Sequence, residues 1–388
     1  MIGRICTASW WRAIGALAIV GMAVLAACGG GVGAGGTGAF ASGPITGFGS
    51  IIVQDIHFDE SSASIDDDSG AARAASDLRL GAVVEVDSGD VNNGAAAATH
   101  VRIVSALVGS VDAVSAGSLA VIGQNVRINA GTVIDDRFTG GVADIQPGDV
   151  VEVYGFVSAS GIVATRIEPK AGATAFKVRG VVSAWSPQSS QAGTFDIGSQ
   201  HFVLGAGASG ADALRNGAFV RVVFGTTPDS QGRWVVSAVG GTAPAGGDRD
   251  EAKARGIITS FTSIANFGVG GVVVDASGAK IEGGPLAAGL RVEVEGRLVA
   301  GVLVASEVEV EDEDEHEPLD LRGSIATLDT SARVFTLTGR SERIGYATTS
   351  SFVNGTVADL AVGRRVRAIG QLSADGTLVE ATQIRFDD

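Results

Sequence analysis

The chain is 388 residues long, with 43 acidic against 28 basic residues and a formal net charge of −15 at pH 7. So acidic a polypeptide repels nucleic acid and anionic headgroups, which excludes a phosphate-backbone binder. Fifty-seven glycines, two cysteines and 5% aromatic residues describe a turn-rich chain without a disulfide framework.

Residues 1–27 read as an export signal. Arg4 and Arg12 precede the apolar run AIGALAIVGMAVLAA at 13–27, which is short of the ~20 residues a membrane span needs. The run ends in Leu25-Ala26-Ala27-Cys28, which resembles the lipobox of bacterial lipoproteins. That resemblance implies cleavage before Cys28, a diacylglycerol on its thiol and an acylated new N-terminus. Cys6 lies in the removed segment, so Cys28 is the mature chain's lone thiol, with no internal disulfide partner. Each buried acyl methylene contributes about 0.8 kcal/mol, so several chains hold firmly. Gly29 stands where the lipoprotein family often carries an inner-membrane retention Asp. The expected address is therefore the outer membrane, on its periplasmic or surface face. Losing Arg4 and Arg12 leaves the mature chain more acidic still.

Residues 28–42 read as a glycine-rich tether with no means of burying a core. The GVGAGG inside it matches a dinucleotide pattern but lacks a preceding strand and a following helix. From residue 43 two phrases alternate. One, G-x-[IV], opens at Gly43, Gly109, Gly180, Gly256 and Gly323; the other, a glycine leading an alternating strand, recurs at Gly81, Gly148, Gly217, Gly289 and Gly363. Two phrases in constant order define five repeats of roughly 65 to 75 residues, too long for a solenoid unit. Their bounds are 43–105, 106–170, 176–240, 253–310 and 319–388, with an acidic linker at 311–318.

In RVEVEG, Val292 and Val294 alternate with Arg291, Glu293 and Glu295, as in a strand with one buried face. A glycine follows the leading one after seven residues at Gly155, Gly296 and Gly370, and after eight at Gly89 and Gly225. Glycine inside a strand signals a sharp bend or close backbone approach, as a tightly closed barrel demands. The fold class expected is all-β: five tandem small β-barrel modules, OB-like or SH3-like, as beads on a string with loosely fixed orientation. A two-sheet sandwich is the other architecture that fits.

These phrases also resemble a bacterial family of exported repeats, domain of unknown function 5666. The features that carry the resemblance are GPITGFGSIIVQDIHFD in the first repeat, LAVIGQNVRINAGTVIDD in the second, and GDVVEVYGF. It spans about residues 43–386, good in repeats one, two and five and looser in three and four. It implies a barrel-like envelope module and supplies no established activity.

No catalytic constellation emerges. The acidic run through Glu311, Asp312, Glu313, Asp314 and Glu315 is a weak cation candidate, since no glycine-turned loop bends it around an ion. It reads first as a solvated linker, and DDDSG at 66–70 reads likewise. GAGASG at 205–210 follows a strand but has room for only a turn or two of helix before the next strand. His57, His100, His201 and His316 show no metal-ligand spacing. Trp185 and Trp234 occupy core columns of repeat three. No cofactor is expected. The function expected is non-catalytic binding or scaffolding by an extended rod, the N-terminal lipid in the membrane and an envelope polymer or protein as partner. The rival reading is an envelope enzyme or carbohydrate-processing accessory with its site in the divergent repeat three.

Overall fold

The computed structural model describes residues 38–189, 192–241, 247–312 and 316–387. Strands dominate, and among the described residues the helical elements are four short 3-10 turns: Ala75–Asp77, Gly141–Asp144, Ala211–Ala213 and Val357–Asp359. No helix there is long and apolar enough to cross a membrane.

Barrel 4 shows the common plan. Its first strand, Arg249–Ser263, runs antiparallel to Asn266–Val269, which pairs antiparallel with Val272–Asp275. That third strand lies parallel to the last, Val302–Glu311, which pairs antiparallel with Arg291–Val299, and Arg291–Val299 closes back on the first strand. This closed circuit, in which the third strand and the short Lys280–Glu282 both run parallel to the last strand, is the Greek-key barrel of the OB-fold. The other four barrels repeat it: the third and last strands run parallel at His57–Asp59 with Ala95–Ala97, at Val126–Arg127 with Ile162–Val163, at Phe202–Leu204 with Trp234–Val236, and at Ile344–Tyr346 with Val379–Ala381.

The two recurring phrases meet inside each barrel. The N–H of the leading glycine donates to the carbonyl of the branched residue in the opening phrase: Gly81 to Ile45 and Gly148 to Val111 at 2.8 Å, Gly217 to Val182 and Gly289 to Ile258 at 2.9 Å, Gly363 to Ile325 at 2.8 Å. The branched residue's own N–H returns a bond to the residue after the glycine, as Ile258 does to Leu290 at 2.9 Å. All five leading glycines sit in the left-handed region, with φ of 77°, 96°, 82°, 91° and 86°. A side chain resists that conformation, so glycine is required there.

The glycines seven residues further on do a different job. Gly155, Gly296 and Gly370 each mark a β-bulge against the last strand. An added Cβ would lie 2.2 Å from the carbonyl oxygen of Val163, Val304 or Glu380 respectively. The bulge tightens the twist and lets the barrel close. Gly89 and Gly225 lack that role. In their barrels the bulge residues are Ser88 and Phe224, one position earlier, while Gly89 has nothing within 4 Å of a built Cβ.

The barrels do not hang loosely from one another. Ala39–Ser42 pairs antiparallel with barrel 1's own fourth strand and, along its other edge, parallel with Glu251–Ala254 of barrel 4. Gly47–Phe48, just beyond, pairs parallel with Asp320–Leu321 of barrel 5. Leu107–Val108 of barrel 2 pairs with Lys177–Val178 of barrel 3. Barrels 1, 4 and 5 therefore share hydrogen-bonded sheet, as do 2 and 3. Thr165 Oγ1 (2.6 Å, to Gly81 O) and Arg166 Nη1 (3.3 Å, to Leu80 O) fasten barrel 2 to barrel 1. The loose orientation and the extended rod expected from the linkers are corrected here, because edge strands bury their unpaired N–H and C=O groups against the next barrel.

One further correction concerns the chain before residue 43. Residues 39–42, assigned to the tether, form a strand buried on both faces. Phe40, 1% exposed, enters the core of barrel 4 while Ala41, 0% exposed, enters that of barrel 1. Phe40→Ala is therefore expected to cost about 3–5 kcal/mol, read as a lowered denaturation midpoint of barrel 4, although Phe40 lies far outside that barrel's own sequence.

Candidate binding cleft between the barrels

Each barrel's interior is filled by side chains, so open space lies where barrels meet. A cleft of about 300 Å³ opens between barrels 1, 2, 4 and 5 and the linker that joins the last two, at the small end of the range for ligand sites. Ile45, Val133, Val163, Leu319 and Leu372 form an apolar floor. Phe156 of barrel 2 lies 5.4 Å beneath the Arg291 guanidinium of barrel 4.

The charged wall is built on barrel 4. Arg255 on the first strand sits across from Glu293, and Arg291 sits across from Glu311, by strand register. Arg255 Nη2 contacts Glu293 and lies 2.9 Å from Glu311, Nη1 contacts Glu317 of the linker, and Arg291 Nε is 2.8 Å from Glu311. The Arg255 side chain is 7% exposed. Burial alone would lower its pKa, but Glu293, Glu317 and Glu311 outweigh that and raise it. Burial pushes the Glu311 and Glu317 carboxyls up, against the pull of Arg255. His316 packs against barrel 2, where a Cβ added to Gly131 would meet its Nδ1 at 2.5 Å.

The acidic linker is thus not simply solvated. Glu311 and Glu317, toward its two ends, converge on one arginine, so the weak cation candidate Glu311 has a protein counter-charge. Asp312 is exposed, and Glu313, Asp314 and Glu315 lie outside the described residues. Among the described residues no group of three or more His, Cys, Asp or Glu side chains is arranged to hold a metal ion. Cys28 also lies outside the described residues.

In DDDSG each aspartate goes to different protein partners. Asp66 faces His100 at 3.1 Å, Asp67 faces Arg73 at 2.9 Å, and Asp68 faces Lys177 at 2.7 Å and Arg179 at 3.4 Å. For Asp67, burial pushes upward, but Ser69, the Ala71 amide and Arg73 prevail and lower the carboxyl to about 2. A depressed folded pKa adds stability above the unfolded value of ~3.9, and that stability is lost as pH falls through the folded one. The melting difference between the native chain and Asp67→Ala is accordingly expected to be constant above pH ~5 and to shrink as pH falls to about 2 and below, as thermal melts across that range would record.

The pattern at 205–210 lies largely within the strand Gln200–Ser209 and is followed by a three-residue turn, not a crossover helix. Trp185 lies 6.1 Å from Phe195, and Trp234 lies 5.2 Å from Phe224 with its Nε1 donating to Gln200 at 3.0 Å. Both tryptophans pack onto the core shared by barrels 2 and 3. Sequence reasoning missed Arg255, Arg291, Phe156 and Glu317 as cleft residues. The one available signal was the acidic linker, whose counter-charges lie in a different repeat phrase.

Residues 108–168, 255–309 and 322–385 match the model of a family described as a domain of unknown function, DUF5666. The matched segments are barrels 2, 4 and 5. The match takes in barrel 4, where the sequence phrases were looser, and passes over barrel 1, where they were good. No curated protein matches the chain. Among solved structures, drosophila Unr CSD456 is similar at 13% identity, over 56% of this chain and 98% of that one, with a TM-score of 0.14. Arg255 and Arg291 fall within the matched segment of barrel 4, Phe156 and Val163 within that of barrel 2, and Glu317 between matched segments.

Proposed function

We propose that the chain is an exported, lipid-anchored cell-envelope protein whose DUF5666 barrels, joined edge to edge, act as a non-catalytic binding or scaffolding platform. The observation that carries this is how the buried charge is used. Asp68 with Lys177 and Arg179, Asp135 with Arg166, and Arg255 with its three glutamates pair across or between barrels. Charge spent in this way holds the barrels in a fixed geometry and is used up in structural pairing. A fixed group of barrels presents several surfaces to one polymer or protein at once, so weak contacts add. Cys28, after Leu25-Ala26-Ala27, supports the anchor, and Gly29 supports the outer membrane. The test is expression in a bacterial host with radiolabelled palmitate, followed by fractionation. The native chain is expected to carry label and sediment with outer membrane, and Cys28→Ser to be unlabelled. An unlabelled native chain, or a labelled Cys28→Ser chain, overturns the anchor.

A further inference from the structure

We propose that the cleft takes the free C-terminal carboxylate of a short peptide with a small apolar end, and that Glu317 occupies that carboxylate's place until it arrives. This rests on the reading of the chain as a binding platform. Three observations lead to it. The carboxylates around Arg255 differ in origin: Glu293 and Glu311 belong to strands of barrel 4, whereas Glu317 reaches Nη1 from the linker, two residues before barrel 5 begins. Arg255 is buried, yet among the described residues its Nε has no hydrogen-bond partner, nor has one oxygen of Glu317. Glu317 is therefore held by less than its full bonding capacity, and the arginine still has a donor to give.

The charge count favours exchange over addition. With Glu317 in place, Arg255 and Arg291 face three carboxylates, an excess of one negative charge. Adding a free anion would double that excess. Replacing Glu317 by another carboxylate leaves it unchanged, and an arginine fork is suited to the newcomer. Beside the arginines, Ile45, Val133 and Leu372 offer apolar surface, and Asn129 and Gln371 carry side-chain amides able to meet a peptide group. A volume of about 300 Å³ holds one or two small residues.

The test uses the whole mature chain and two probes, N-acetyl-alanine and N-acetyl-alaninamide, titrated calorimetrically into the native protein, Glu317→Gln and Glu317→Ala. Circular dichroism melts check that each variant is folded, and Glu317→Gln, which keeps the shape of the side chain, guards against collapse of the smaller variant. The acid is expected to bind both variants at least tenfold more tightly than the native chain, while the amide gains nothing. If the acid gains nothing, or the amide gains equally, the carboxylate assignment is overturned and the cleft remains a site of other chemistry. If neither probe binds any form, the cleft's role in the platform falls with it.

Discussion

Gly296→Ala is expected to destabilise barrel 4 by about 3 kcal/mol or more, and Gly155→Ala and Gly370→Ala to do the same to barrels 2 and 5. At these positions the neighbour is backbone. The Cβ of an alanine would lie 2.2 Å from a carbonyl oxygen of the last strand and 2.8 or 2.9 Å from the next Cα. No rotamer relieves this, since alanine has none. The two strands must part where the bulge draws them together, and the barrel's twist relaxes with them. Left-handed strain plays no part at Gly296 and Gly370, neither of which has positive φ. The contrast is sharp within the same sequence column: Gly89→Ala, with nothing within 4 Å, and Gly225→Ala, whose nearest atom is 3.7 Å away, are expected to stay within about 0.5 kcal/mol of the native chain. Denaturant melts of the five variants check the series, and equal losses at all five positions would contradict the close-approach account.

Asp68→Ala is expected to cost about 3–5 kcal/mol. The Asp68 side chain is 3% exposed and belongs to barrel 1, while its partners Lys177 and Arg179 belong to barrel 3. Arg179 is itself only 7% exposed; burial lowers its pKa against the pull of Asp68 and Glu85. Removing the aspartate leaves a buried guanidinium with one carboxylate fewer. The loss is therefore desolvation without compensation, larger than any surface ion pair supplies. Replacing Arg179 by Met in the same chain should recover most of it, because the orphaned charge is then gone. A double-mutant cycle in urea measures this: strong coupling is expected, and additive losses would show that the two residues act independently.

The barrels were legible because their signals are local. Alternation at Val292 and Val294, hairpins ending in glycine, and glycine at Gly155, Gly296 and Gly370 each report a strand, a turn or a bulge within a few residues. Even the bond between Gly289 and Ile258 was implicit in the constant order of two phrases. Trp185 and Trp234 could be placed in the core by column, since four sibling repeats fill the same columns with apolar residues. The eight-residue glycines misled because Gly89 and Gly225 stand one place beyond the bulge, and spacing alone does not distinguish a bulge glycine from a turn glycine.

What lay between barrels was hidden. Ala39–Ser42 sits behind a glycine-rich run and looks like its continuation; only pairing with Glu251–Ala254, some 200 residues on, makes it a strand buried on both faces. Asp68 and Arg179 are far apart in the chain, and neither residue is unusual in its own repeat. Arg255 reads as one more polar position on an alternating strand until the linker folds back onto it. Edge-to-edge pairing uses backbone groups that every sequence has, so side-chain pattern carries no trace of which edges meet.

The fixed arrangement of the barrels is the claim on which the platform and the cleft both depend. With Cys6 and Cys28 replaced by serine, spin labels at Val235→Cys in barrel 3 and Val362→Cys in barrel 5, both exposed positions, report the distance between barrels that are not neighbours in sequence. Pulsed dipolar spectroscopy is expected to give one narrow distance distribution, unchanged when Glu317 is replaced by glutamine. A broad distribution spanning tens of ångströms would mean that the barrels turn independently, and would contradict the account.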